Sequence, residues 1–313
     1  MRSPRKALVG HSASLLHGNL ARSPTHLAYV HNADLILLSE AALLSSAPHP
    51  PVVRLPAPHA AAILQARWVG VGAAEYLVLA AHGALQLHSS DGRRLAHTLL
   101  CAEGGWWCGV CGVSRGGRRV LCAGTSDGAV CVLEGEEEGW AEAYYEAAEG
   151  AVVELSAEAR SDGALVAVAD ARGGVGVFRL SDEAWERLGD FPSDEGATCT
   201  SVRLRDSRLF AAYSSGHIRL FEVGADSCHL SCLIAAHTRW INALELHPTK
   251  PMFASAGEDC CVTVWSWSAE GKVTALWSTH VTDALLCGLA FSHDTLAATA
   301  YDQPHVYVWS LDK

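Results

Sequence analysis

The feature that most limits how this chain can fold is a repeat. Short apolar runs that read as β-strands end at Leu38, His88, Leu133, Phe178, Phe221, Trp265 and Trp309, mostly about 44 residues apart. Each is the last of three runs. In the fifth repeat, for example, Leu209–Tyr213 leads through the turn Ser214–Gly216 into His217–Phe221. In the third, Val120–Gly124 leads through Ser126–Gly128 into Ala129–Leu133. A first strand precedes each pair, at Ala13–Leu16, Ala61–Leu64, Trp107–Val110, Ala151–Leu155, Cys199–Val202, Ile241–Leu244 and Ala284–Cys287. Such a unit cannot bury both of its faces alone, so neighbours must stack. Seven four-stranded units are a number at which a ring can close. The spacing therefore predicts one all-β domain over 1–313, with units at roughly 10–56, 58–100, 105–147, 150–190, 196–233, 237–279 and 280–313. Only four residues follow Trp309, too few for a fourth strand. Residues 5–9 are expected to supply it, pairing in the last unit and removing an open sheet edge.

The sixth unit shows how polar groups are built into this pattern. His237 precedes its first strand, Ser255 sits in the second, Asp259 in the turn Gly257–Asp259, and Trp265 ends the third. A turn Asp can hold a His ring, the His can reach a Ser hydroxyl, and the Ser can accept an indole N–H. A closed set of that kind lets polar groups be buried without loss. This spacing resembles the WD-repeat blade, although Ala236 stands for the usual Gly and Ser266 for the final Asp. The whole chain resembles a seven-bladed WD-repeat β-propeller. Only the sixth blade matches residue by residue. The seventh keeps Asp302 and Trp309 but has Ala298 for the Ser. The third keeps Asp127, and the fourth and fifth end in Phe178 and Phe221. A narrower likeness runs through Gly10–Leu16, Ala235–Arg239, Ser255–Asp259, Asp283–Gly288 and Thr299–Asp302, which look like the WD repeat-containing protein 54 family. That resemblance implies a non-enzymatic intracellular protein with a link to cilia.

Composition narrows the partners. Half of the residues are hydrophobic and 18% charged, as in a well-buried globular protein. The net charge of −11 disfavours generic attachment to nucleic acid or anionic membrane. No run reaches the length of a membrane span, and the first residues lack the apolar core of a secretory signal. Eleven cysteines, mostly inside strand-like runs, read as reduced thiols in an intracellular, most simply cytoplasmic, protein, with cilium and nucleus as alternatives. The acidic stretch Glu134–Glu138 reads as a solvated loop, with a docking tract for a basic partner as the minority reading, and Pro48, Pro50 and Pro51 mark another surface connection.

Several motifs invite chemistry. Cys108 and Cys111 have the spacing of a metal or redox pair, but in a regular strand residues three apart point to opposite faces. Cys228 and Cys232 do not complete a site, and Cys260–Cys261 reads as ordinary strand-start packing. His237, Ser255 and Asp259 fit a structural tetrad with Trp265 better than a hydrolytic triad, because no Gly-x-Ser-x-Gly elbow presents a nucleophile. A propeller hydrolase would need paired carboxylates across a central channel, and the inner strands read as apolar. No catalytic residue, metal or cofactor is expected. The resemblance implies that interblade connections and second-to-third-strand turns line one face, where partners bind. Trp106, Arg172, Arg239, Trp240, Glu258, Tyr301 and Gln303 would lie there, while Trp107 reads as core. Trp, Tyr and Arg combine large buried area with directional polar groups. The reading is a scaffold or adaptor for a protein or peptide segment, a monomer within a larger complex. A modified-peptide reader using Trp240, Glu258 and Asp259 is one alternative and a channel hydrolase the other.

Overall fold

The structure is a computed structural model that describes residues 3–45, 52–56, 62–115, 117–136, 139–161, 163–182, 184–193, 196–224 and 227–311. The proline-marked connection at 48–51 and Glu137–Glu138 lie outside these residues. Among the described residues the chain forms seven antiparallel four-stranded sheets and one short helix, Glu40–Leu44. No helix among the described residues is long and apolar enough to cross a membrane. Two compact units contain the sheets: 1–57 with 214–217 and 234–313, and 58–213 with 218–233.

The first unit holds sheets one, six and seven. Sheet six, Ile241–Leu246, Met252–Gly257, Cys261–Trp267 and Val273–His280, runs in simple up-and-down order. Sheet seven has Leu285–Phe291, Thr295–Tyr301 and His305–Ser310. Its outer strand is Arg5–Leu8, antiparallel to His305–Ser310 with Ala7 opposite Val306. The chain's first strand therefore covers the edge that its last strand would leave open. Sheet one is built from Ala21–Arg22, His26–His31, Asp34–Ser39 and Val52–Pro56. Trp309 and Tyr307, each 1% exposed, pack with Leu286, Val264 and Ala256 in the core shared by sheets six and seven.

The second unit holds sheets two to five. The middles of their second strands are unbroken runs of Val, Leu, Ala, Cys and Phe, as in strands buried on both faces. Leu77–Ala81, Val120–Ala123, Val166–Ala169 and Leu209–Ala212 are all at or below 2% exposure. The outer strands alternate instead. Gly139–Glu146 exposes Glu142, Tyr144 and Glu146 while Ala143 and Tyr145 face inward. Third strands end at Ser39, Ser89, Glu136, Leu180, Val223, Trp267 and Ser310, each within three residues of the sequence expectation.

A device repeated from sheet to sheet escapes the sequence pattern. Six first strands carry a one-residue β-bulge near their start, at Leu64, Gly109, Val153, Thr200, Asn242 and Cys287. A bulge re-aims every side chain beyond it and sharpens the local twist. Gly109, at φ +73°, has to be glycine, because a Cβ there would lie about 3.0 Å from the backbone of Glu154 and Leu155. The first sheet replaces the bulge with a loop. Its expected first strand, Ala13–Leu16, does not form: Ala13 makes an isolated bridge to Tyr301, and the strand is reduced to Ala21–Arg22. Between them the chain leaves the sheet over Leu15–Gly18. Asn19 closes the excursion, its amide donating to Ser14 O and Val30 O while its carbonyl accepts from Val30 N–H at 2.7 Å.

The acidic stretch also differs from expectation. Rather than a loop, Glu134–Glu136 continues its strand and pairs with Gly139–Ala141. Glu134 accepts from Arg115 at 3.0 Å, so it is bound in an ion pair rather than free in solvent.

Candidate functional site

In the sixth blade the four expected side chains form one continuous chain of hydrogen bonds. Trp265 Nε1–H donates to Ser255 Oγ at 2.9 Å, and Ser255 Oγ lies 2.7 Å from His237 Nε2. His237 Nδ1 lies 2.9 Å from Asp259 Oδ1. The tautomer protonated at Nδ1 satisfies all of them, with Ser255 O–H donating to Nε2 and the ring N–H to the carboxylate. Asp259 also accepts the backbone N–H groups of Thr238 and Cys261, both at 3.1 Å. Gly257 is needed beside it, because a Cβ would meet Trp240 O at 2.4 Å. Burial works against the Asp259 charge. The hydrogen bond from the His237 ring, with those from the two backbone amides, outweighs it and holds the carboxyl below its ordinary pKa.

That depression has a pH signature. A group with a lowered folded-state pKa stabilises the fold fully above its unfolded value, about 3.9, and loses that contribution as pH falls through the folded value. Denaturant titrations of the wild-type chain and Asp259→Asn at pH 5 and pH 3 are expected to show a smaller loss across that window in the variant. Equal slopes would mean that the tetrad does not hold the charge.

The tetrad ties the turn at Asp259 to the connection that carries Arg239 and Trp240. Trp240 O accepts Glu258 N–H at 2.9 Å, joining the connection before the first strand to the turn after the second. Trp240 is 44% exposed and stacks on the ring of His17, with centroids 6.1 Å apart. His17 belongs to the Leu15–Gly18 excursion, which is tied down where Gly18 N–H donates to Asn242 O and Asn19 N–H to Cys287 O, both at 2.8 Å. Those acceptors are the bulge carbonyls of sheets six and seven. Leu15, 48% exposed, lies two residues beyond Ala13 of the Ala13–Tyr301 bridge, and Tyr301 itself is 44% exposed. Arg239 is exposed, Glu258 half-buried, and Gln303 Nε2 donates to Asp283 O at 3.3 Å. Five of the seven expected partner residues thus belong to this unit. The contribution of Leu15 and His17 was missed. The signal for it was the turn-forming His17-Gly18-Asn19 directly after the expected strand Ala13–Leu16.

The other two expected residues lie in the second unit. Trp106 is half-buried, bridges to His82 and donates its backbone N–H to Ser126 Oγ at 3.3 Å. Arg172 pairs with Glu149 at 2.7 Å on an open surface, an interaction that water and salt largely screen. Trp107, 2% exposed, is core.

Three expectations need correction. Asp259 is engaged by the tetrad and its backbone donors, so it is not a free wall of a peptide cage. Cys108 and Cys111 do share a face of their sheet: the bulge at Gly109 absorbs one residue, so they oppose Gly124 and Cys122, two apart on the neighbouring strand. Each is nevertheless held as a thiol. Burial, with the Glu154 charge adding, pushes Cys108 up to about 12, and its Sγ–H donates to Val153 O. A hydrogen bond with Cys122, and then burial, keeps Cys111 well above the ordinary thiol range. Metal ligation and disulfide exchange both need the thiolate.

The first strands of the second unit, finally, are not simply apolar. Gln65 and Glu154 each follow a bulge, in sheets two and four, and Gln65 Nε2 donates to Glu154 Oε1 at 2.9 Å. Glu154, 2% exposed, also faces Arg203 at 3.4 Å and Arg67 at 3.7 Å. Its oxygens are taken up by Gln65 and the two guanidiniums, the arrangement of a structural ion cluster.

The comparisons with known proteins agree with this geometry. A chain of the crystal structure of the mitotic checkpoint complex superposes with a TM-score of 0.78, covering 100% of this chain and 93% of its own at 14% identity, and shows the fold to be the seven-bladed WD-repeat β-propeller. "WD repeat-containing protein 54" of Mus musculus is 27% identical over 333 residues, 96% of each chain. The Homo sapiens protein of that name is 28% identical over 323 residues, 93% of each. The model of the family described as WDR54 matches residues 8–311, and this chain is a member of that family.

Proposed function

We propose that this chain is a non-enzymatic interaction scaffold that holds a protein or peptide segment on its interstrand loops. Arg239, Trp240, Tyr301 and the Leu15–Gly18 excursion form the anchor in the first unit. The observation that carries this reading is the pairing of exposure with rigidity: Trp240 and Tyr301 are each 44% exposed, yet the backbone at Trp240 is bound to Glu258 and that at Tyr301 is paired with Leu285 and bridged to Ala13. Rigid aromatic side chains lose little freedom on binding and dominate interface energetics. The fold and the family support a protein-interaction role in general. The eleven cysteines, all without a disulfide partner, support an intracellular site.

The test is proximity labelling with mass spectrometry in cells expressing the tagged wild-type chain or the Arg239→Ala/Trp240→Ala variant. A discrete partner set present with the first and lost with the second is expected. The variant should remain folded, because both side chains are exposed and truncation there costs about 0.5 kcal/mol or less. Full retention of every partner by a folded variant would overturn the anchor.

A further inference from the structure

Almost all of the net negative charge of the chain belongs to its second unit. There, the third blade holds a recess of about 340 Å3 between the connection before its first strand, the turn after its second, and Tyr144 of its outer strand. Two kinds of group line it. Trp106 and Tyr144 supply aromatic surface, the former with the His82 ring 5.5 Å behind it and the latter 54% exposed. Glu103 and Asp127 supply exposed carboxylates at the rim, and the lining contains neither Lys nor Arg.

The recess is held in shape by its own hydrogen bonds. Thr125 Oγ1–H donates to Asp127 and fixes the carboxylate, and Ser126 Oγ accepts the Trp106 backbone N–H. Tyr144 Oη donates to Glu142 Oε2 at 2.9 Å. Glu142 and Glu146 share with Tyr144 the exposed face of the outer strand, so acidic groups continue from the recess along that edge.

We propose that this recess binds a cationic side chain, arginine or lysine, presented by an extended basic segment of a protein partner. The aromatic faces attract a cation through their quadrupole, more strongly as water is excluded. The carboxylates add charge-assisted hydrogen bonds, and a concave acidic surface concentrates cations at its mouth. An acidic or neutral segment would leave Glu103 and Asp127 without a complement. The proposal rests on the loops being a protein-binding surface, but it uses none of the first-unit anchors.

The experiment is fluorescence anisotropy of the purified full chain with labelled nonapeptides. Arginine, lysine, trimethyl-lysine or citrulline occupies alternate positions of a Gly/Ser frame. The cationic peptides are expected to bind at least tenfold more tightly than the citrulline peptide. Their ranking tells which cation is preferred, with arginine leading if the carboxylates dominate and trimethyl-lysine if the rings do. Glu103→Gln/Asp127→Asn and Trp106→Leu are each expected to lose tenfold or more, with thermal unfolding confirming that the variants are folded. A control, Glu186→Gln/Asp190→Asn, neutralises two exposed acids elsewhere on the unit. If it weakens binding as much, or if citrulline binds as well as arginine, the recess is not a cation site. Arg239→Ala/Trp240→Ala should leave the affinity unchanged, so failure of the first-unit anchor and failure of this recess are separately visible.

Discussion

Glu154→Ala is expected to destabilise the chain by about 3–5 kcal/mol, because it removes the buried carboxylate that two largely buried guanidiniums face. In the native chain Glu154 accepts from Gln65 and faces Arg67 and Arg203, whose side chains are 16% and 12% exposed. Taking those charges out of water is costly, and their attraction offsets the cost only while the carboxylate is present. The net worth of the cluster is a different quantity from the cost of breaking it. Glu154→Gln keeps the shape and the contact to Gln65 but removes the charge, so it should fall between wild type and Glu154→Ala. Replacing Gln65, Arg67, Glu154 and Arg203 together by apolar residues of similar volume should recover much of the loss. Urea unfolding of the four proteins at neutral pH decides the matter. A loss below about 1 kcal/mol in Glu154→Ala would mean that water reaches the guanidiniums and that the site is solvated.

Sequence patterning exposed the architecture because burial on both faces leaves a strong trace. Runs such as Leu77–Ala81 and Val166–Ala169 can only be central strands, and their spacing sets the number of blades. It failed where one residue changes the phase. A single bulge residue, Gly109, brings Cys108 and Cys111 onto one face, against the alternation that a regular strand would give. The bulges at Leu64 and Val153 likewise precede Gln65 and Glu154, buried polar residues within strands that read as apolar. Excursions are hidden in the same way: Leu15 and Leu16 look like strand residues until Asn19 is seen taking both backbone groups of Val30. Of the candidate site, the tetrad was legible because its residue types and spacing are specific. The partner surface was legible only as residue types, since exposure depends on how loops are tied, and hydrogen bonds such as Gly18 N–H to Asn242 O join segments far apart in sequence.

The tetrad gives the second large effect. Ser255→Ala removes one hydroxyl and is expected to cost about 2–4 kcal/mol, because it leaves two buried groups without partners, the Trp265 N–H and His237 Nε2. The His237 side chain is 0% exposed and Ser255 is fully buried, so water cannot readily replace the hydroxyl. The seventh blade shows why the loss is not intrinsic to alanine. Ala298 stands there where Ser255 stands in the sixth, two residues after Leu296 as Ser255 follows Phe253, and it packs at 0% exposure in the apolar core. A site built without the polar chain does not suffer from its absence; one that loses a middle link does. The distinction is measurable as coupling. Ser255→Ala and Trp265→Phe share one hydrogen bond, so the double variant should be more stable than the sum of the single losses predicts, by about 1 kcal/mol. Additive losses would show that Ser255 and Trp265 contribute independently, and that the sixth blade is held by packing alone.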